Sequence, residues 1–335
     1  MKKGAIFGFG SVGQSMTKNL NEQNEEFRIT AACDLDTKKQ SDAVENFGLK
    51  AVANLDELLD DLPDFLLITS TSHVHPLAAK WCFKNKVPFL IEKPIAIDYK
   101  SANELAELCK NENLLNVVNY SMRFSPVSTK IKEMVESGTL GNLLSICLSS
   151  YRGYGFYQNG KRHPAIISPE TSGGWIIHHL THILDFAIWL AGDVEEVHAY
   201  TRTTAPEELK SEEVICSLIK FKNGVIGTIN DQIGIVRDHT MQIVGDKGGV
   251  IETSKDGLSK IKFSDEAGAY RNATLIDPDP TNELKSGLHH FFDCLSNNKP
   301  SQMPMAASGY VTTVCEAMKM SAYENRIVKI DELLH

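Results

Sequence analysis

The chain has 335 residues, 42% hydrophobic and 23% charged, with a formal net charge of −9 at neutral pH. That length can supply two domains with full cores, and the acidic balance argues against non-specific binding to nucleic acid or an anionic membrane surface. Seven cysteines stand singly with no C-x-x-C pair, which points away from a disulfide frame or zinc cluster and toward a reduced, cytoplasmic protein.

Met1-Lys2-Lys3 before apolar residues has the charge of a secretion signal, but glycines and then Gln14-Ser15 break the apolar run. The most apolar stretch, Trp175 to Ala191, carries three histidines and an aspartate, so no membrane span is expected.

Gly4 to Phe7 reads as a first strand. It ends in Gly8-x-Gly10-x-x-Gly13, and a helical stretch from Gln14 to Asn24 follows at once. In that setting the glycines allow a sharp turn, close approach of a pyrophosphate and tight helix–strand packing. The helix N-terminus favours the phosphate charge. Gly8, Phe9, Gly10, Ser11, Val12 and Gly13 are therefore candidate cofactor contacts. Phe27 to Cys33 reads as a second strand and ends at Asp34, 21 residues past Gly13, near the spacing at which a carboxylate meets the ribose hydroxyls of NAD. It would repel the 2′-phosphate of NADP, which favours NAD. A cap on the helix beginning near Thr37 is the competing role for Asp34 or Asp36.

The alternation continues, with helix over 37–47, an extended piece at 50–52, a short helix at 55–60 and a buried strand at 65–69. Helix 71–85, strand 87–91, helix 98–111 and strand 115–119 follow. Alternating strands and helices predict a doubly wound parallel sheet of Rossmann type over residues 1–120. Ligands in such sheets lie beyond the carboxyl ends of the strands, which adds Thr69, Ser70, Thr71, His75, Glu92 and Lys93 as cofactor contacts. Lys93 ends a buried strand and is followed by Pro94, which restricts its backbone. Its ammonium can steady an oxygen as negative charge develops, or pair with Glu92.

From Tyr120 the rhythm changes. Helix is expected over 125–137 and strand over 143–151, followed by a Gly-, Tyr- and Arg-rich loop, 152–172. A helix then runs from 173 to 191, and strands at 194–203, 213–221, 225–233, 241–244 and 249–252 follow. Asn223-Gly224 and Asp246 to Gly249 mark hairpin turns. Residues 203–212 are the most linker-like. Helices at 288–297 and 311–324 come last. Residues 121–335 thus form an α+β domain with a large, open, mostly antiparallel sheet, and the last helices can pack back on the first domain. The open face suits a homodimer or homotetramer.

The order of GxGxxG, the aspartate after strand two, Glu92-Lys93-Pro94, Asn119-x-x-x-Arg123-Phe124-x-Pro126 and Gly173-Gly174-(x)7-His182-x-x-Asp185 resembles the Gfo/Idh/MocA oxidoreductase family across essentially the whole chain. The resemblance implies hydride transfer between NAD(P) and a carbinol carbon of a sugar, polyol, inositol or related compound. By position, Lys93 and His182 match the family's catalytic lysine and histidine, Asp185 the aspartate one turn on, and His75 the histidine of the Ser72-to-His75 loop. Where many polyol dehydrogenases of the family have an aspartate four residues before the catalytic histidine, this chain has His178. One helical turn apart, His178 and His182 share a face. His178 is therefore a further catalytic candidate, and it points toward a different or anionic substrate.

In the expected mechanism the nicotinamide lies at the seam of the two halves. His182 takes the hydroxyl proton, since an imidazole of pKa roughly 6.5 exchanges protons at neutral pH. Lys93 steadies the oxygen and opposes protonation of His182. Arg123, Arg152, Tyr154, Tyr157, Arg162 and His163 join Lys93, His178 and His182 as candidates for substrate recognition. His179, about 100° round the helix from His178, is expected to be structural. His178, His182 and Asp185 have metal-ligand spacing, but no bound metal is expected. The competing functions are an NAD-dependent redox-cycle glycosidase and a non-catalytic dinucleotide-binding regulator.

Overall fold

The computed structural model describes residues 1–152, 157–158, 161–162, 168–203, 210–233, 238–255, 258–265, 274–276 and 287–334. Two compact units emerge, Met1–Asn119 with Gly287–Tyr310, and Tyr120–Ser286 with Val311–His335.

In the first unit, β1 (Lys2–Phe7), β2 (Phe27–Cys33), β3 (Lys50–Val52), β4 (Phe65–Ile68), β5 (Phe89–Ile91) and β6 (Asn116–Val118) form one sheet in the order β3-β2-β1-β4-β5-β6, every pair parallel. Phe65 to Ile68 and Phe89 to Ile91 are fully buried, as strands covered on both faces must be. Helices α1 (Ser11–Gln23), α2 (Thr37–Phe47), α3 (His75–Asn85) and α4 (Tyr99–Asn111) alternate with the strands. The boundaries have local causes. The Asp36 side chain accepts the Lys38 N–H to start α2, and Gly48 ends it at φ +64°. Asp98 accepts the Ser101 N–H to start α4. Strand order reverses between β1 and β4, so a crevice opens beyond their carboxyl ends.

The chain returns to this unit near its end. In α7 (Gly287–Asn297), Phe292 stacks on Phe27 at 4.3 Å and meets Phe65 edge-on at 5.2 Å. The last helices were expected to be able to pack back on the first domain, and the rings of this one belong to the core of the parallel sheet.

The second unit is built on nine strands. They are β7 (Leu143–Arg152), β10 (Val194–Arg202), β11 (Val214–Phe221), β12 (Ile226–Ile233), β13 (Asp238–Gly245), β14 (Gly248–Lys255), β15 (Leu258–Asp265), β16 (Thr274–Ile276) and β17 (Val328–Lys329), in the order β16-β15-β14-β13-β7-β12-β11-β10-β17. All pairs are antiparallel except β7 with β12. A two-stranded ribbon joins β8 (Tyr157–Gln158) to β9 (Lys161–Arg162). Ile215, Ile219, Ile229 and Ile243 point to the buried face, while Tyr200, Leu218 and Ile226 are exposed, the alternation of a sheet covered on one side. Helices α5 (Pro126–Glu136), α6 (Thr181–Ala191) and α8 (Met305–Glu324) complete the helical part, α8 running through the division of the two units. A π-helical turn, Ile176–Leu180, leads directly into α6. Among the described residues no helix is long and apolar enough to cross a membrane.

Candidate active site

The candidate site residues fall into two groups, one in each unit. In the first unit, β1 delivers the chain to Gly8 at φ +95°, where an added Cβ would lie 2.4 Å from the Ser70 backbone. A Cβ on Gly13 would lie 2.4 Å from the Gly8 carbonyl oxygen. Neither position accepts a side chain without moving the backbone, whereas nothing lies within 4 Å of the corresponding point over Gly10. The Thr69 hydroxyl donates to the Gly8 carbonyl at 2.7 Å and fixes the turn. The first turn of α1 holds no acidic residue, and its leading N–H groups have no partner within the helix. This is a cradle of the right chemistry for a phosphate.

Asp34 has a more specific position than its spacing suggests. One carboxylate oxygen accepts the Phe9 N–H at 2.7 Å and lies 3.4 Å from Lys39 Nζ, and the other accepts the Asp36 N–H at 3.0 Å. Asp36, not Asp34, caps α2. The Phe9 ring is buried against Phe47 at 5.0 Å and its N–H is used by Asp34. Ser11 and Val12 remain exposed at the helix start.

His75 is only 1% exposed, with Nδ1 at 2.7 Å from the Pro94 carbonyl and Nε2 at 3.0 Å from the Ser70 carbonyl. It braces the loops after β4 and β5 against each other. Burial pulls its pKa down to about 4, against the two carbonyls, which favour a doubly protonated ring. Because its pKa in the folded chain lies below the unfolded value, its contribution is complete above pH ~6.5. It is lost as pH falls toward 4, on the order of 3 kcal/mol in all. Denaturant unfolding between pH 7 and 4 is expected to be shallower by about that amount in His75→Gln. An unchanged slope would remove His75 as a titrating group.

Glu92 receives the Asn119 side-chain N–H at 2.6 Å, and burial raises its carboxyl above the usual range against that bond and the charge of Lys93. Lys93 is half-buried, and its bond to Pro94 is cis. Thr69 and Ser70 line the same strand ends, and Thr71 is exposed beside them.

In the second unit the histidines lie on the π-turn and the start of α6. Gly174 stands at φ +82°, and its N–H is accepted by the Ser172 hydroxyl at 3.1 Å. The next N–H, of Trp175, is accepted by the Ser211 hydroxyl at 2.7 Å. Ser211 donates to Glu212 at 3.1 Å, and the Tyr323 hydroxyl donates to the other oxygen of Glu212. The start of the histidine segment is therefore tied to two distant parts of the chain. His178 and His182 are half-buried, and the His178 ring lies 6.4 Å from Trp175. His179 is buried, stacked on Trp175 at 4.4 Å and 9°, and bonded through Nδ1 to Asp231 at 2.5 Å.

Arg123, a candidate for substrate recognition, grips Asp185 with bonds of 2.7 and 2.6 Å and lies over the Trp189 ring. The two side chains are 10% and 1% exposed. Burial pushes the Asp185 carboxyl above its usual range, and the two Arg123 bonds oppose that. Arg152 and Arg162 belong to β7 and β9, and Tyr157 to β8. Their side chains, with Tyr154 and His163, lie outside the described residues. Among the described residues no group of three His, Cys, Asp or Glu could hold a metal. Trp175, Ser211 and Asp231 were not anticipated; the available signal was a carboxylate at an inward position of β12, in step with Gly227 and Ile229.

Comparison with known proteins gives the chemistry a setting. Residues 2–120 match the model described as "Oxidoreductase family, NAD-binding Rossmann fold", and residues 128–251 the GFO/IDH/MocA C-terminal domain. Myo-inositol 2-dehydrogenase of Thermotoga maritima is 24% identical, with 98% of each chain covered. Inositol 2-dehydrogenase of Rubrobacter xylanophilus is 28% identical over 73% of this chain and 69% of that protein. The fold is shared with an oxidoreductase from Agrobacterium radiobacter in complex with NAD+, L-tartaric acid and magnesium (TM-score 0.84, 21% identity, 99% of each chain). A levoglucosan dehydrogenase in complex with NADH and L-sorbose shares it too (TM-score 0.86, 17% identity, 100% of each chain).

Proposed function

The chain belongs to the Gfo/Idh/MocA oxidoreductase family, with an NAD-binding Rossmann domain, and from that premise we propose that it oxidises or reduces a carbinol of a polyol, inositol or sugar. The observation that carries the reading is the glycine turn, closed by Thr69 and Asp34 and open over Gly10, in a chain that also has Lys93 after β5 and His182 on α6. When bound, the nicotinamide supplies or accepts the hydride. The leading N–H groups of α1 hold the pyrophosphate, and Asp34 receives the ribose hydroxyls on the oxygens it presents beyond the Phe9 and Asp36 N–H groups. Its negative charge disfavours the 2′-phosphate of NADP. His182 takes the hydroxyl proton in the oxidative direction and returns it in the reductive one. Lys93 donates a hydrogen bond to a substrate oxygen and stabilises charge that develops there.

The substrate class rests on the inositol 2-dehydrogenases at 24% and 28% identity. It is tested by supplying NAD+ and NADP+ separately with myo-inositol, scyllo-inositol, sorbitol, glucose and gluconate and following absorbance at the NADH band. Sustained turnover with NAD+ and at least one neutral polyol or sugar is expected. Activity confined to gluconate would reassign the substrate to sugar acids, and inertness of the whole panel would count against the reading.

A further inference from the structure

His179 was expected to be a structural histidine, and the structure gives it three contacts. Its ring lies flat on Trp175, 4.4 Å between centroids at 9°. Its Nδ1–H donates to Asp231 at 2.5 Å, both side chains being buried. Its ring meets that of His182 edge-on, 5.8 Å between centroids at 65°. Trp175 is itself fixed through its N–H, which Ser211 accepts at 2.7 Å.

We propose that His179, clamped between Trp175 and Asp231, is a positioning residue that holds the His182 imidazole in its working orientation. This rests on His182 being the acid–base group. A π-helical turn re-aims the side chains that follow it, and such turns occur often at functional sites. The turn at Ile176–Leu180 carries His179 three residues before His182, the ring it meets edge-on. The carboxylate of Asp231 accepts from Nδ1 and so fixes the tautomer, while the stack fixes the plane of the ring. A fixed ring in contact with His182 limits the angles that imidazole can take. Misplacing a reacting group by about 1 Å can cost on the order of 10²-fold in rate.

The direct variant, Asp231→Ala, leaves His179 buried without that acceptor and could lose stability for that reason alone. The informative variant is His179→Leu with Asp231→Leu, which removes both members, since apolar replacement of a buried pair is often neutral in stability. It is compared with wild type and His182→Ala for NADH binding by fluorescence, thermal unfolding, and kcat and KM with NAD+ and myo-inositol, or whichever panel compound turns over fastest. In parallel, ring resonances of His182 are recorded by NMR on protein labelled at histidine, a readout that needs no substrate. The proposal expects NADH affinity unchanged, kcat lowered roughly 10- to 100-fold with KM within about 3-fold, and His182 resonances shifted or broadened. A double variant with wild-type kcat and unmoved His182 resonances would overturn it, whatever its thermal midpoint. Full activity in His182→Ala would instead defeat the acid–base reading on which it rests.

Discussion

His182→Ala is expected to lower kcat about 10²- to 10⁴-fold, roughly 3 to 5 kcal/mol of transition-state stabilisation, while NADH affinity stays within about 2-fold. The glycine turn, Thr69 and Asp34, proposed to hold the cofactor, belong to the first unit, whereas His182 belongs to the second. On the proposed roles, removing its ring takes away the proton acceptor and leaves the bonds of that turn unchanged. A loss seen only in kcat, recovered in part by added imidazole, would identify a missing acid–base group. A loss of NADH binding would mean that His182 serves the cofactor instead, and a normal kcat would remove it from the chemistry.

The second large effect is on stability. Asp185→Ala is expected to cost about 3 to 5 kcal/mol, because it removes one partner of a buried ion pair whose Arg123 side chain is only a tenth exposed. Two hydrogen bonds at 2.6 and 2.7 Å are lost with it. Replacing both partners, as Arg123→Met with Asp185→Leu, should recover most of that loss, since the pair is then removed as a unit. Denaturant unfolding of the two variants checks this. Equal losses would show that the cost comes from cavities and not from breaking the pair. The comparison also tests Arg123 as a substrate contact, since a double variant that folds well with an unchanged KM for its polyol does not use that guanidinium in binding.

These two residues show what a sequence can and cannot disclose. The alternation of short apolar runs with amphipathic stretches marked Phe27–Cys33, Thr37–Phe47 and Lys50–Val52 to the residue, because in a parallel sheet the signal is local and repeated. Gly8 and Gly13 were legible for a similar reason, since a backbone that forbids a Cβ leaves its mark at one position. Other features depend on distant partners. Arg123 was a candidate for substrate recognition, and only the fold brings it to Asp185, 62 residues away. Asp231 lies 52 residues from His179, on a strand whose parallel pairing with β7 no turn motif announces. His75 was identified by its loop, but its direction was not, since facing a ligand and bracing Pro94 to Ser70 ask for the same residue in the same place.

Element ends were missed where composition was misleading. The start of α8 at Met305 was set too late because Ala306 to Gly309 are small residues. They are helical because Gly309 lies close against Ala106, where a Cβ would stand 2.7 Å from its neighbour. Strands β15 and β16 went unnoticed because a mostly polar run such as Leu258–Asp265 gives a weak period-2 signal at the margin of a sheet. The π-turn at Ile176–Leu180 has no sequence rule at all, yet it carries His178 and His179.

In the proposed reaction a hydride leaves a carbinol carbon and stays on the nicotinamide. Incubating the enzyme with NAD+ and its fastest panel substrate, deuterated at every carbinol carbon, and weighing the recovered cofactor by mass spectrometry tests this directly. The expected result is reduced cofactor carrying a single deuteron, accumulating in step with ketone product. Cofactor recovered as unlabelled NAD+ while a glycoside in the same tube is cleaved would contradict it and point to a redox cycle with no net oxidation.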